Sequence, residues 1–330
     1  MSAHSALPAE LARGPAPRSL KRRPGVAERL LEGSIRAVAL ISIAAILLIF
    51  VFVGKEALPL LTSSDVHREV TLGTLFGAGS RSGDTAFAWQ PVSTVPKYSV
   101  WPLVVGSLKV TLVSLAFAVP LAVGAAVYVS EYAPARMREV VKPAIELLAG
   151  VPSVVIGFFA LIVLATWVQR AFGTEHRLNA LVAGLGLSFA ICPIVFSVSE
   201  DALRAVPRSY REAALAMGST RAQAVLLVVL PAAAPGIAAS IVLGFGRAVG
   251  ETMIVVIASG NAALLDASLG HSTRTITATI AQELGEVVMG SAHYSVLFAL
   301  GAMLFVATFV VNLVGERIVH GIRRKLGTVS

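Results

Sequence analysis

Six runs of about twenty apolar residues punctuate the chain, at roughly 35–54, 102–128, 144–168, 179–198, 236–259 and 293–315, with polar, Gly- and Pro-bearing segments between them. About twenty apolar residues is what a helix needs to cross a hydrocarbon layer. No ten-residue alternation of strand type recurs, which argues against a transmembrane barrel. Backbone groups in lipid must bond within their own segment, so the pattern predicts a bundle of six membrane helices. Residues 1–34 are polar, basic and rich in Ala and Pro, and read as a disordered tail. The full-length first run without a small-residue cleavage site reads as an uncleaved anchor. Residues 55–101 read as a loop packing over the bundle, 199–235 as a loop on the opposite face, 102–315 as a five-helix core, and 316–330 as a C-terminal tail.

Composition sharpens this. The chain of 330 residues is 56% hydrophobic and only 14% charged, against about 25% charged in soluble domains, and its mean hydropathy is +0.79. Disordered, collagen-like and disulfide-rich classes are excluded, and the lone Cys192 can form no internal bridge. The net charge of +8 is explained by loop asymmetry rather than by nucleic-acid binding, since no aromatic stripe interleaves the basic residues. Eighteen Lys and Arg fall in the N-tail, the second and fourth loops and the C-tail, against six on the other side, which predicts both termini in the cytoplasm. Trp101, Trp167 and Tyr294 fall at outer ends and Tyr128 and Tyr132 at an inner end, as interfacial rings do.

Several chemistries are missing. Gly54–Lys55 is followed by Glu56, so no Walker A loop is present. There is neither a G-x-S-x-G elbow nor an H-E-x-x-H pair, and hence no catalytic constellation. No cofactor pattern and no metal-ligand spacing is evident: the six histidines are scattered, none an i, i+3 or i, i+4 partner of another His or Cys.

The most informative residues lie in the fifth run, GFGRAVGETMIVV. A charge at bilayer centre costs at least about 2.5–3.5 kcal/mol, so Arg247 needs a partner or an aqueous cavity. In a continuous helix Glu251 is one turn on, on the same face. Gly244, Gly246 and Gly250 leave bare backbone for a helix or a ligand. One reading is a self-neutralising salt bridge. The other is an anion site on a translocation path, where the Arg fork grips an oxyanion and Glu251 accepts a hydrogen bond from it, as the P–OH of monohydrogen phosphate can offer and sulfate cannot. Thr252 adds a hydroxyl to that path, or a back-bond to its own helix. Pro152 and Cys192–Pro193 read as kinks, and Lys109 stays unassigned.

Between the fourth and fifth runs stands REAALAMGSTRAQAVLLVVLPAAAPGI, a short amphipathic helix, a Gly turn, a second helix and a proline. Its spacing resembles the EAA loop of binding-protein-dependent ABC importer permeases: Glu212-Ala213-Ala214, Gly218 six residues after the Glu, Leu230–Pro231 twelve and thirteen after the Gly, with Val228 where Ile is usual. SEYAPARMREVVKPAIELLAGVPSVVIGF, GRAVGETMIVVIASGN and TRTITATIAQELGEVVMGSAHYSVLFALG are similar to the phosphate-specific (Pst) permease of C type. The resemblance implies an all-α integral membrane protein with a type I importer bundle, importing phosphate through the cytoplasmic membrane. It also implies an A-type permease partner, two ATP-binding subunits that hydrolyse the ATP, and an extracytoplasmic phosphate-binding protein. By it, Glu212, Ala213, Ala214 and Gly218 contact the ATPase, and Arg247 and Glu251 lie on the phosphate path. The alternatives are a permease for phosphonate, molybdate or sulfate, or a proton-coupled secondary transporter.

Overall fold

A computed structural model of the chain describes residues 26–77 and 87–325. The expected tail before Val26, Arg81 of the long loop and the last five residues lie outside them. Among the described residues six helices are long and apolar enough to span a membrane. The chain divides after Val51 into two units.

The first unit is carried by α1 (Val26–Ala57). Its Ile41, Ile43, Leu47 and Leu48 are exposed, the surface of a helix made for hydrocarbon. The helix begins at Val26, so the tail boundary expected at residue 34 falls inside it. The reason is local: 26–34 holds good helix formers, and Glu32 pairs with Arg36 one turn on at 2.6 Å.

The second unit opens with short helices α2 (Pro59–Thr62), α3 (Ser64–Glu69) and α4 (Leu72–Phe76), then a hairpin of β1 (Trp89–Gln90) and β2 (Lys97–Tyr98). Leu60, Val66, Val70, Leu75, Trp89 and Tyr98 bury themselves against Leu103, Ile276, Val296 and Leu300, so this segment covers one end of the bundle. The bundle itself is α5 (Trp101–Val127), α6 (Ala135–Ala149), α7 (Ser153–Phe159), α8 (Ala165–Phe172), α9 (Ala180–Ala205), α10 (Arg208–Ala216), α11 (Arg221–Ala224), α12 (Leu230–Gly250), α13 (Met253–Ala258), α14 (Ile276–Glu283) and α15 (Ala292–Lys325). Single π turns at 128–132, 160–164 and 225–229 extend α5, join α7 to α8 and join α11 to α12.

The core lies around α9, which packs against α5, α6, α7, α12 and α13. Leu187, Ile191 and Val195 are fully buried at i+4 spacing, with Phe196 and Leu203 beside them. In lipid, helices associate through close packing rather than through expulsion of water, and small residues permit it here. A Cβ on Gly236 would stand 2.4 Å from that of Ala202, and one on Gly184 2.4 Å from a Val113 methyl. Asn179 starts α9 by accepting the Val182 N–H at 2.9 Å.

Four expected boundaries change. The third span does not begin at 144: α6 ends at Gly150, and Pro152, extended at φ −57°, ψ 136°, starts a new helix. Proline lacks the N–H to continue a helix but suits its first turn, so α6 is a separate amphipathic helix with no buried residue and the span is Ser153–Phe172. The loop expected over 199–235 is confined to 206–220, because α9 runs on to Ala205 and Arg221–Gly250 is helical throughout; Pro231 lies within that helix, in the first turn after a π turn, where its missing N–H is tolerated. The fifth run is broken at Glu251–Thr252, with consequences below. The C-terminal tail expected from 316 is helical as far as Lys325.

Candidate functional site

Two places in the bundle hold the residues singled out in the sequence. The first is the break between α12 and α13. Gly236 sits against Ala202, and Gly244 against Ile191 and Val195, so α12 runs antiparallel to α9. Ile254 of α13 touches the Cβ position of Gly186. The break therefore lies level with about Leu187, some 11 Å in from the start of α9 at 1.5 Å per residue, at membrane depth.

At the break the salt-bridge reading of Arg247 and Glu251 is not borne out. Arg247 is in the last turn of α12, and Glu251 has left the helix at φ −71°, ψ 132°. Helical i, i+4 geometry is lost at that residue, and among the described residues no ion pair joins the two. Glu251 instead turns to the next helix: its Oε1 accepts the Met253 N–H at 3.2 Å, and its carbonyl accepts the Thr277 hydroxyl at 2.9 Å. Thr252 Oγ1 donates to the Gly250 carbonyl at 3.4 Å, the local back-bond. Arg247 is exposed, on a stripe with Leu243 and Gly250. Ala248 and Gly244 face α9, while Gly246 and Val242 face α15, so the arginine points to a side of α12 that the described residues of the second unit leave uncovered.

The second place is the hairpin of α10 and α11. Gly218, at φ +85°, occupies the left-handed region that glycine enters freely. Ser219 N–H donates to Ala214 O at 3.2 Å and Gly218 N–H to Leu215 O at 3.0 Å, the paired bonds of a Schellman C-cap. Thr220 and Gln223 then form a reciprocal capping box at the start of α11. A turn capped on both sides holds its shape. Glu212 and Ala213 are exposed on it and Ala214 is half-buried.

Buried carboxylates wire this hairpin to the spans. Glu131, 8% exposed at the end of α5, accepts from Arg211 at 2.5 and 3.0 Å. Arg211 also donates to Val206 O and Leu203 O at the end of α9, and the Glu131 carboxylate holds its guanidinium above the usual range. Arg221 donates to the Glu131 carbonyl and lies over the Tyr132 ring. Arg138 of α6 bonds Val129 O and Ser130 O. Lys142 of α6 meets the fully buried Glu200 of α9 at 2.8 Å, an interaction that raises the ammonium's pKa. Glu131, Glu200 and Lys142 escaped the sequence reading because their partners stand 58 or 80 residues away in the chain; an acidic residue closing an apolar run was the only local sign. Lys109, unassigned there, is buried and donates to the carbonyls of Asp266 and Ser268, both at 2.9 Å.

Residues 118–326 match the model of a family described as binding-protein-dependent transport system inner membrane component. The chain is 36% identical over 278 residues to a probable ABC transporter permease, YqgH, of Bacillus subtilis, covering 84% of this chain and 85% of that protein. It is 31% identical over 303 residues to the phosphate transport system permease PstC of Mesorhizobium japonicum, covering 86% and 89%, and 32% identical over 276 residues to PstC 1 of Mycobacterium tuberculosis, covering 73% and 82%. Among solved structures it is similar in fold to a chain of a bacterial alginate ABC transporter in complex with its alginate-bound periplasmic protein, with a TM-score of 0.56 at 16% identity, over 91% of this chain and 98% of that one. A chain of the inward-facing MetNI methionine ABC transporter gives 0.51 at 19% identity, over 68% and 94%.

Proposed function

The chain belongs to the family of binding-protein-dependent transport system inner membrane components, and on that premise we propose that it is the C-type permease of an ABC importer for inorganic phosphate in the cytoplasmic membrane. Its homologues are permeases, so the chain is a transport subunit. The nucleotide chemistry belongs to two ATP-binding partners, with an A-type permease as the other half of the channel and an extracytoplasmic binding protein as the source of phosphate. The basic ends of the helices face the cytoplasm in this reading.

Arg247 carries the assignment to an anion. A guanidinium at membrane depth, exposed on an uncovered stripe, is too costly to leave in lipid; a second permease chain enclosing that stripe turns it into the wall of a polar path. Arg247 then offers its planar fork to the phosphate oxygens. Glu251, whose Oε1 is engaged by the Met253 N–H, keeps Oε2 to accept a hydrogen bond from a P–OH group. Thr252 beside it borders the same path. At the cytoplasmic end, Glu212, Ala213, Ala214 and Gly218 form the knob that seats in the ATP-binding subunit, and Glu131–Arg211 passes its movement to α5 and α9.

Labelled phosphate uptake in proteoliposomes of the assembled complex tests this. Arg247→Ala is expected to cut uptake by about 10²-fold, the loss of a charge-assisted contact of roughly 3 kcal/mol. Glu251→Gln is expected to weaken the preference for phosphate over sulfate. Full uptake in both variants removes the pair from the path; competition by phosphonate or molybdate at equal concentration reassigns the substrate.

A further inference from the structure

Two loops meet at the end of the bundle opposite the hairpin: residues 173–179, between α8 and α9, and residues 259–275, between α13 and α14. Both are held from below. Asn179 Nδ2 donates to the His176 carbonyl at 2.7 Å. The N–H groups of Ala180 and Leu181 donate to His271 O and Leu269 O, and Lys109 holds the carbonyls of Asp266 and Ser268. On this platform Glu175, His176 and His271 each bring one ligating atom to within 4.8 Å of the other two.

We propose that Glu175, His176 and His271 bind a divalent first-row transition ion of the zinc class, which staples the two loops together. The donor set is two imidazole nitrogens and one carboxylate oxygen, the set that borderline ions such as Zn2+ take. Four-coordinate zinc with bonds of about 2.0–2.1 Å spaces its ligand atoms about 3.4 Å apart. Glu175 Oε2 already stands 3.4 Å from His271 Nε2. The Asp266 carboxylate bonds Nδ1 of the same ring. In the proposed site the ring keeps its proton on Nδ1, toward Asp266, and presents Nε2 to the metal, the arrangement in which a carboxylate orients a ligating histidine. His176, its ring 5.3 Å from that of His271, supplies the third ligand, and the exposure of the site leaves the fourth position to water. Spacing along the chain hid the pair, since the two histidines are 95 residues apart and only the fold joins them.

The test uses the full-length chain in its assembled complex, purified without a polyhistidine tag and stripped with chelator, then titrated with Co2+ and Zn2+. One Co2+ per chain with the visible absorption of a four-coordinate site, displaced by Zn2+, is expected. His176→Ala and His271→Ala should each lower affinity by at least about tenfold, and Asp266→Asn by about 10–100-fold. His176 is exposed, so melting of metal-free His176→Ala should match wild type, while added Zn2+ raises the melting temperature of wild type alone. Absence of stoichiometric binding at micromolar metal overturns the site, and so does binding unchanged in the double His variant. Binding that survives His271→Ala also overturns it, because His271 would then be serving its two carboxylates only.

Discussion

At the scale of single residues, the charges spent on structure stand in contrast to Arg247. Arg138, Arg211, Arg221, Lys109 and Lys142 all reach carbonyls or carboxylates inside the chain. Among the described residues Arg247 makes no such bond, and at membrane depth that contrast marks it more firmly than its place in an apolar run did. Glu131 is the most consequential of the structural charges. Glu131→Gln keeps the shape but gives up the bidentate ion pair with Arg211, and removing one partner of a buried charged contact costs about 1.5–3 kcal/mol. The expected result is a lower melting temperature, and an ATPase rate in the assembled complex that no longer rises when loaded binding protein is added. A wild-type response of the ATPase in this variant would take Glu131 out of the coupling route.

At the scale of elements, the fold was legible where apolar periodicity runs unbroken and illegible where backbone chemistry interrupts it. The runs at 102–128, 179–198 and 293–315 each fall within a helix. The runs at 144–168 and 236–259 each straddle a break, at Pro152 and at Glu251. A hydropathy window averages over one extended residue, so a helix that stops and restarts reads as one. The proline gave a local sign that was taken for a kink. Glu251 gave none, because its carboxylate and carbonyl find partners in Met253 and Thr277 only once the chain is folded. The α10–α11 hairpin was legible in the other direction: Gly218 and Thr220 determine the turn by themselves. Packing between spans is testable through Gly236. A methyl there meets Ala202 at 2.4 Å, and overpacking of that kind costs about 1–3 kcal/mol. Gly236→Ala is expected to lower the detergent-solubilised melting temperature, and Ala202→Gly on top of it to restore most of the loss. Simple additivity of the two changes would mean that α9 and α12 do not meet there.

At the scale of the whole molecule, the described residues of the second unit leave the arginine stripe bare. The stripe of Leu243, Arg247 and Gly250 is where a second permease chain is expected. In a Cys192→Ala background, which removes the one native cysteine, a benzophenone attached at Leu243→Cys should photocrosslink to another permease chain on illumination in membranes. Products with lipid alone would refute enclosure of this face.

The helical stretch from Arg221 to Gly250 runs without interruption from the capped turn to the break, a rod of about 45 Å at 1.5 Å per residue. A rod of that length works as a lever: tilting it by about five degrees about the turn sweeps its far tip through some 4 Å. That sweep exceeds the reach of a hydrogen bond, so a small nudge at Gly218 is enough to make or sever any bond held by a side chain at the tip. The single π turn at 225–229 is where such a rod would give, and stiffening or softening it sets how much of the nudge arrives.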